Sequence, residues 1–164
     1  MEDVPYSVSE LAACVTGSSP QRRELCLRRL RHWGSHGVLA TTTALHVGTG
    51  RSRRFGTEQV YIAAVLLRLA DLGLSIGALK AVAQVIAIEQ AKGGDNATLW
   101  EEAKRRRIVF MRLSIQFDDA GEKPVSVAIG LVRGSRGLNA PDVYMDDDTV
   151  IIMNLTEIFA GVRL

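Results

Sequence analysis

The chain has few of the residues from which redox and catalytic sites are built. Two of its 164 residues are cysteines, Cys14 and Cys26, and each lies in a helical pattern without the close spacing of a metal-binding pair. The sequence shows no constellation typical of nucleophilic catalysis, and Gly48-Thr49-Gly50 lacks the lysine of a phosphate-binding loop. We therefore expect no enzymatic activity, no cofactor and no metal site. So few cysteines also predict a reducing compartment.

Long hydrophobic runs are absent as well. Arg68 and Asp71 interrupt the longest early apolar run, well short of the roughly 18 residues that span a bilayer. The chain begins Met1-Glu2-Asp3, without a basic and apolar export segment. These features predict a cytoplasmic protein with no membrane partner, and the 47% of hydrophobic residues suffice for a packed core.

Lysine is missing from the most basic part of the chain. From Pro20 to Gly56 there are eight arginines and one acidic residue, Glu24, so the remainder of the chain is net negative. The planar fork of arginine suits phosphate oxygens and guanine edges, and this segregation concentrates attraction for a polyanion in one place. The pattern favours binding to double-stranded DNA, and an ordinary solvated surface is the alternative.

Two helices are predicted before this basic segment ends. Ser7-Val8-Ser9-Glu10 has the form of a capping box and predicts a helix from Ser9 to Val15. A proline suited to a first helical position predicts a second helix, Pro20–Ser35. At 100° per residue this second helix has an apolar face, formed by Cys26, Leu30 and Trp33, and an opposite face with Arg28, Arg31 and His32.

A basic hairpin is predicted next. Thr41–Val47 is rich in β-branched residues, Gly48-Thr49-Gly50 supplies a tight turn, and Arg51–Phe55 can return as the paired strand. The segment Thr41–Phe55 therefore reads as the wing of a winged helix-turn-helix.

Two further helices should follow the wing. The first should be capped by Thr57 and end near Gly73, and the second should be capped by Ser75 and run to about Ala91. Within it, Ala81–Ile88 is apolar nearly all round, which predicts burial on more than one side, against the core or a second subunit.

The pattern changes from helix to strand in the second half. Lys92-Gly93-Gly94-Asp95 predicts a boundary between a domain of residues 1–92 and one of residues 95–164. A capping-box helix should begin at Thr98 and end in the cations Lys104–Arg107, where a second DNA contact is a less favoured alternative. Alternation then predicts strands near Met111–Phe117, Val125–Leu131 and Thr149–Asn154, with a final helical turn over Thr156–Gly161. The predicted class is α+β, a winged helix-turn-helix followed by a small antiparallel β unit with a flanking helix.

Three other groups of residues have both a chemical and a structural interpretation. The histidines His32, His36 and His46 are interpreted as polar or DNA-proximal residues in preference to a metal site. The acidic run Asp146, Asp147 and Asp148 is interpreted as a solvated turn in preference to a cation site. Four aromatic residues are interpreted as core in preference to an effector pocket: Trp100, Phe110, Phe117 and Tyr144.

The first half of the chain resembles the MerR family of bacterial transcription regulators. The resemblance covers about Tyr6 to Ile86 and rests on Leu30-Arg31-His32-Trp33, Gly37-Val38-Leu39, Arg54-Phe55, Glu58-Gln59-Val60 and Leu72-Gly73-Leu74-Ser75-Ile76. It implies a winged helix-turn-helix whose second helix enters the major groove and whose wing contacts flanking DNA. It also implies a homodimer on a two-fold operator, commonly at a promoter engaged by RNA polymerase.

The resemblance assigns roles to single residues. It implies a phosphate or base contact for Arg31, a core role for Trp33, and basic wing positions for Arg53 and Arg54 before the closing aromatic Phe55. In two respects the chain departs from the family: the interval from Leu11-Ala12 to Leu30-Arg31 is longer by roughly two helical turns, and no single long dimerisation helix follows. Dimerisation is therefore expected through the β unit or the apolar fourth helix.

Together these observations predict a sequence-specific regulator. Phosphate neutralisation is expected from Arg22, Arg23, Arg29, Arg51 and Arg53, and contacts nearest the bases from Arg28, Arg31 and His32, with Arg54 completing the set. Two alternatives stay open: an architectural, DNA-bending factor of the excisionase kind, and a protein-interaction module that binds a partner by strand addition to its C-terminal sheet.

Overall fold

The computed structural model describes residues 5–16, 20–42, 53–118, 120, 123–134 and 149–164. It confirms a mixed α+β fold. The chain forms two compact units, Met1–Lys80 with Gly161–Leu164, and Ala81–Ala160; domain limits of 1–92 and 95–164 stay a prediction. The elements are β1 (Tyr6–Ser7), α1 (Val8–Thr16), α2 (Pro20–Ser35), β2 (Arg54–Phe55), α3 (Thr57–Asp71), α4 (Ile76–Lys92), α5 (Gly94–Lys104), β3 (Val109–Phe117), β4 (Pro124–Arg133), β5 (Thr149–Asn154) and α6 (Leu155–Ala160).

The predicted capping box starts α1. The Ser7 amide donates to Glu10 Oε2 at 2.7 Å, and the Glu10 amide donates to Ser7 Oγ at 3.3 Å. Each side chain thus satisfies an amide that the first helical turn leaves without an intrahelical partner. Leu11, Ala12 and Cys14 are the buried residues of this helix.

Helix α2 has the predicted bounds and the predicted faces. Cys26, Leu30 and Trp33 are buried, while Arg28, Arg31 and His32 are exposed. Only three residues separate α1 from α2.

The start of α3 corrects one prediction. Gly56, with φ −72° and ψ 165°, occupies the N-cap position, and Thr57 is the first residue of the helix. Since Phe55 still pairs with Tyr6 in the two-stranded sheet, Gly56 alone connects β2 to α3. The cap therefore falls one residue earlier than the hydroxyl pattern indicated.

The junction of α3 and α4 is as predicted. Gly73 has φ +90°, its amide donates to Ala70 O at 3.1 Å, and the Leu74 amide donates to Leu69 O at 3.2 Å. These two bonds are those of a Schellman ending, which the left-handed glycine permits. Ser75 caps α4, because its Oγ accepts from the Ala78 amide at 3.3 Å.

Helix α4 is buried along one stripe, and burial of a further side against a second subunit stays a prediction. Ala78, Leu79, Val82, Ala83 and Ile86 are buried and follow one stripe. On the adjacent stripe Ala81 and Val85 are half-buried, and Ile88 is 51% exposed. The apolar composition therefore exceeds what one chain buries.

The second unit contains a three-stranded antiparallel sheet in the order β4-β3-β5. The register pairs Met111 with Leu131 in β4 and with Met153 in β5. Met111, Leu113 and Ile115 are fully buried, as their alternation predicted, and Val109 just before the predicted strand is buried as well. Ser114, which the alternation placed on the polar face, is also buried, whereas Val125 at the far end of β4 is 70% exposed.

Helix α5 begins earlier than the sequence indicated. Gly93 and Gly94 have φ of +73° and +81°, conformations that turn the chain within two residues because glycine has no Cβ. The helix therefore starts at Gly94, and Thr98 is an internal residue whose hydroxyl donates to the Gly94 carbonyl at 2.9 Å. A Thr98 capping box was the wrong prediction, since the same residue type also bonds back to a carbonyl one turn earlier.

The helices of this unit are fastened to the sheet by both apolar and polar contacts. The Trp100 ring meets Phe159 of α6 edge-on with centroids 4.8 Å apart, and both are buried. Asn96 Oδ1 accepts from the Leu131 amide at 3.1 Å, and its Nδ2 donates to the Ile129 carbonyl at 3.5 Å. Trp100 is thus a core residue, as predicted; Phe110 and Phe117 are half-buried. Tyr144 and the acidic run Asp146–Asp148 lie outside the described residues.

None of the described helices combines the length and the apolar character needed to cross a membrane.

Candidate nucleic-acid interface

The exposed side of α2 is the most basic helix surface in the first unit. We call it the α2 outer face and define it by residues that recur at intervals of three, four and seven. All are exposed and lie opposite the buried Trp33 stripe: Gln21, Glu24, Leu25, Arg28, Arg31, His32 and Ser35. Such a face can present hydrogen-bond donors and acceptors to base edges while the arginines attract phosphates.

Several cations of α2 remain in solvent. Arg22 and Arg23 are exposed in its first turns. In the part of the chain that the structure describes, Arg23, Arg28 and Arg31 form no ion pair. The one acidic residue of the helix, Glu24, lies on the same face four residues before Arg28 and is exposed as well. The helix has five arginines against this one glutamate, so its field stays positive and attracts a polyanion.

Arg29 differs from the other arginines of the helix. Its Nη1 lies 2.6 Å from Asp71 Oδ1 at the end of α3, and its side chain is 29% exposed. This ion pair links α2 to α3. Arg29 thus contributes to the packing of the unit, and its phosphate contact stays a prediction.

The structure describes the two ends of the predicted wing, Thr41–Phe55, and not its middle. The Thr42 amide donates to the Arg54 carbonyl at 2.9 Å, which brings the two ends of Thr41–Phe55 together. The intervening residues 43–52, with Arg51 and His46 among them, lie outside the described part of the chain.

Strand β2 connects the end of the predicted wing to the N-terminal helix. Arg54 pairs with Ser7 across the sheet, and its Nη1 donates to Pro5 O at 3.4 Å and to Glu10 Oε2 at 3.4 Å. The capping carboxylate of α1 therefore also holds a basic residue of the wing. Arg53, the neighbouring wing position, is half-buried.

Phe55 ties the wing to α2. The ring is fully buried and lies so close to Gly34 that a Cβ at this glycine would be 3.2 Å from Phe55 Cζ and 3.5 Å from Arg53 Cδ. A Cβ at this position would require the buried ring to shift by a few tenths of an ångström, so glycine fits the close approach best. The buried position of Trp33 agrees with the core role that the family resemblance implied for it.

A pair of histidines closes the outer face at the end of α2. The ring centroids of His32 and His36 are 4.0 Å apart with the planes tilted by 47°. His36 Nδ1 lies 2.8 Å from the His32 carbonyl oxygen and 3.0 Å from Ser35 Oγ. Both rings are exposed.

Both cysteines are unsuited to nucleophilic chemistry. Burial raises the pKa of the Cys26 thiol to about 11, and burial, with a smaller effect of Glu10, raises that of Cys14. The thiolate is the reactive form, so these side chains act as core residues. Within the described residues, no group of three or more His, Cys, Asp and Glu side chains could hold a metal ion.

Two surface cavities were found within single units. One of about 340 Å³ is lined by Thr98, Glu101, Glu102, Arg105 and Arg107, and one of about 290 Å³ by Pro5, Tyr6, Glu10, Ala13 and Cys14. Trp100, Phe110 and Phe117 line neither of the two, so these cavities give no support to an aromatic effector pocket.

Sequence reasoning missed three contributors to this site. Gln21 shares the outer face with Arg28, seven residues later, which a longer helical wheel would have shown. Asp71 contributes by pairing with Arg29, and Gly34 by its close contact with Phe55. Both partners are distant in sequence, so a local sequence pattern cannot predict these contacts.

No protein-family model matches the chain, and no curated protein matches it in sequence.

Proposed function

We propose that this chain is a sequence-specific, double-stranded-DNA-binding transcription regulator of the MerR type. The observation that carries the proposal is the α2 outer face: arginines without ion pairs among the described residues, opposite a buried stripe that fixes the helix. In a helix-turn-helix, the second helix lies in the major groove with its exposed side toward the base edges.

The contacts divide by chemistry. Arg22, Arg23 and the wing residues Arg51, Arg53 and Arg54 supply attraction to phosphates, which fixes register and depends on salt. Arg28 and Arg31 can pair the two acceptors of guanine, and Gln21 the N6 and N7 positions of adenine. His32 completes the surface that faces the bases.

A homodimer on a two-fold operator is part of the proposal, with RNA polymerase as a partner at the promoter. It is supported by the half-exposed apolar stripe of Ala81, Val85 and Ile88 on α4, which a second copy would cover. Ile88→Glu should therefore weaken self-association, measured by sedimentation velocity.

The experiment that tests DNA recognition starts with selection of bound duplexes from a random pool. The selected duplex is then titrated at several salt concentrations with the wild-type chain, Arg31→Ala and Arg68→Ala. Arg68 is an exposed arginine in the last turn of α3, so its substitution removes the same charge from the same unit outside the α2 outer face.

Arg31→Ala should cost about 1–3 kcal/mol on the selected duplex and relax the preference at one base pair, whereas Arg68→Ala should leave the preference unchanged. Absence of any selected sequence, or equal losses in the two variants, would contradict the proposal.

A further inference from the structure

The end of α2 carries two histidines one helical turn apart. The amide of His36 donates to the carbonyl of His32 at 3.1 Å, so helical geometry extends to His36, one residue beyond the last residue of α2. Residues four apart on a helix lie one above the other on the same side. The two imidazoles accordingly lie with centroids 4.0 Å apart, both exposed to solvent.

The hydrogen bonds of His36 determine which of its ring nitrogens carries the hydrogen in the neutral imidazole. Nδ1 is 2.8 Å from the His32 carbonyl oxygen, and a carbonyl can only accept, so Nδ1 carries the hydrogen. The Ser35 hydroxyl donates to the same carbonyl at 2.8 Å and can accept from Nδ1. In the neutral ring the lone pair then resides on Nε2. Donation of one ring N–H to a backbone carbonyl is the usual support of a metal-binding histidine.

In place of the sequence-based expectation of no metal site, we propose that His32 and His36 together bind one divalent ion of the borderline transition metals, Cu²⁺, Ni²⁺ or Zn²⁺. His36 supplies Nε2 and His32 one ring nitrogen, and the remaining coordination positions are open to water. Imidazole suits these ions, whereas Mg²⁺ and Ca²⁺ prefer oxygen ligands. Binding needs no DNA, so the inference is independent of the proposed regulatory function.

The neighbourhood limits the affinity. Arg28 and Arg31 lie on the same face of α2 and repel a dication, and two protein ligands are fewer than the three or four of catalytic and structural zinc sites. The ion would nevertheless be bound on the α2 outer face, and its remaining coordination positions would be open to solvent or to a molecule bound at this face.

The test uses the full chain without an affinity tag, titrated separately with Cu²⁺, Ni²⁺, Zn²⁺ and Mg²⁺ by calorimetry. The variants are His32→Ala and His36→Ala, with His46→Ala as a control that removes the third histidine of the chain. Amide broadening by Cu²⁺ in nuclear magnetic resonance spectra locates the site, and circular dichroism checks that each variant is folded.

We expect one transition-metal ion per chain, no binding of Mg²⁺, and broadening centred on residues 32–36. Loss of a supporting hydrogen bond costs about 10–100-fold in metal affinity, so loss of either ligand should cost at least tenfold, while His46→Ala should retain the wild-type affinity. Binding that survives both His32→Ala and His36→Ala, equal loss in His46→Ala, or no binding by the wild-type chain would overturn the inference.

Discussion

Helices α2 and α5 both carry clusters of basic residues, but the two clusters have different surroundings. In α5, Glu101 pairs with Lys104 at 2.7 Å, and Glu102 accepts two bonds from Arg133 at 2.6 and 2.9 Å. In α2, Arg29 pairs with Asp71, whereas Arg28 and Arg31 of the outer face are exposed and form no ion pair with the described residues.

The remaining cations near α5 also have a local explanation. Arg105 is the C-cap residue, and Arg106 and Arg107 follow it, at the end of the helix where unsatisfied carbonyls create a negative potential. The comparison indicates that the number of arginines does not by itself mark an interface. Unpaired charges on one face of a well-packed helix attract a polyanion, whereas charges matched within the fold stabilise that fold.

The largest expected effect comes from removing charge from each helix in turn. Arg28→Ala with Arg31→Ala should lower affinity for the selected duplex by about 1–3 kcal/mol for each lost base contact. Arg105→Ala with Arg107→Ala removes the same charge from the second unit and should leave the selected sequence unchanged. Fluorescence anisotropy titrations of both double variants measure the difference, and comparable losses of specificity would remove the distinction between the helices.

Substitution of one glycine in each unit compares how tightly the two units pack around these positions. Gly34→Ala places a Cβ 3.2 Å from the buried Phe55 ring and should destabilise the fold by about 1–3 kcal/mol through overpacking. Gly130→Ala in β4 meets no atom within 4 Å, and alanine loses less backbone entropy in a strand, so stability should hold or rise slightly. Urea denaturation of both variants gives the two free energies. Equal destabilisation would contradict the close contact between the wing and α2.

A smaller effect is expected from removing the acidic partner of Arg29. Asp71→Asn removes a partly exposed pair, so the free energy of unfolding should fall by about 1 kcal/mol or less. The same change releases Arg29 and should raise DNA affinity through one more available cation, with a steeper dependence on salt. Glu102→Gln, which releases Arg133 in the second unit, serves as the matched control and should not raise DNA affinity. A decrease in DNA affinity with Asp71→Asn would mean that the pair orients α2 for binding.

The smallest effect concerns acid stability. The Ser7 amide and hydroxyl, followed by Arg54, hold the pKa of Glu10 below its ordinary value. The ionised form therefore stabilises the fold at pH values above the ordinary pKa, and this contribution is lost as the pH falls through the lowered pKa of the folded state. Glu10→Gln should flatten that part of the stability profile, measured by thermal melting from about pH 6 to about pH 3. A profile as steep as that of the wild-type chain would show that the capping box makes no such contribution.

Local signals predicted much of the fold. The correct predictions depend on residues within one or two helical turns of each other, where spacing determines hydrogen bonding. They are the capping box of Ser7 and Glu10, the Ser75 cap, the Gly73 ending, and the bounds of α2 and β5. The Thr57 and Thr98 caps were wrong because a hydroxyl residue that fits a cap fits a helix interior as well. Whether such a residue caps the helix or lies inside it depends on where a neighbouring strand or glycine turn ends.

The candidate site was only partly predictable. The exposure of Arg28, Arg31 and His32 follows from helical periodicity, so it could be predicted from the sequence. The pairing of Arg29 with Asp71 and the contact of Gly34 with Phe55 join residues far apart in the chain, and only packing of the whole unit creates them. The bond from His36 Nδ1 to the His32 carbonyl likewise depends on helical geometry continuing past Ser35.

The central claim, that the α2 outer face recognises specific DNA, is tested most directly in the cell. The tagged chain and its Arg28→Ala, Arg31→Ala double variant are crosslinked to DNA, recovered from the host and sequenced across the genome. With the wild-type chain we expect sharp peaks that share a two-fold sequence motif, and with the variant we expect these peaks to be lost. Broad or absent enrichment with the wild-type chain, or peaks that persist in the variant, would contradict the central claim.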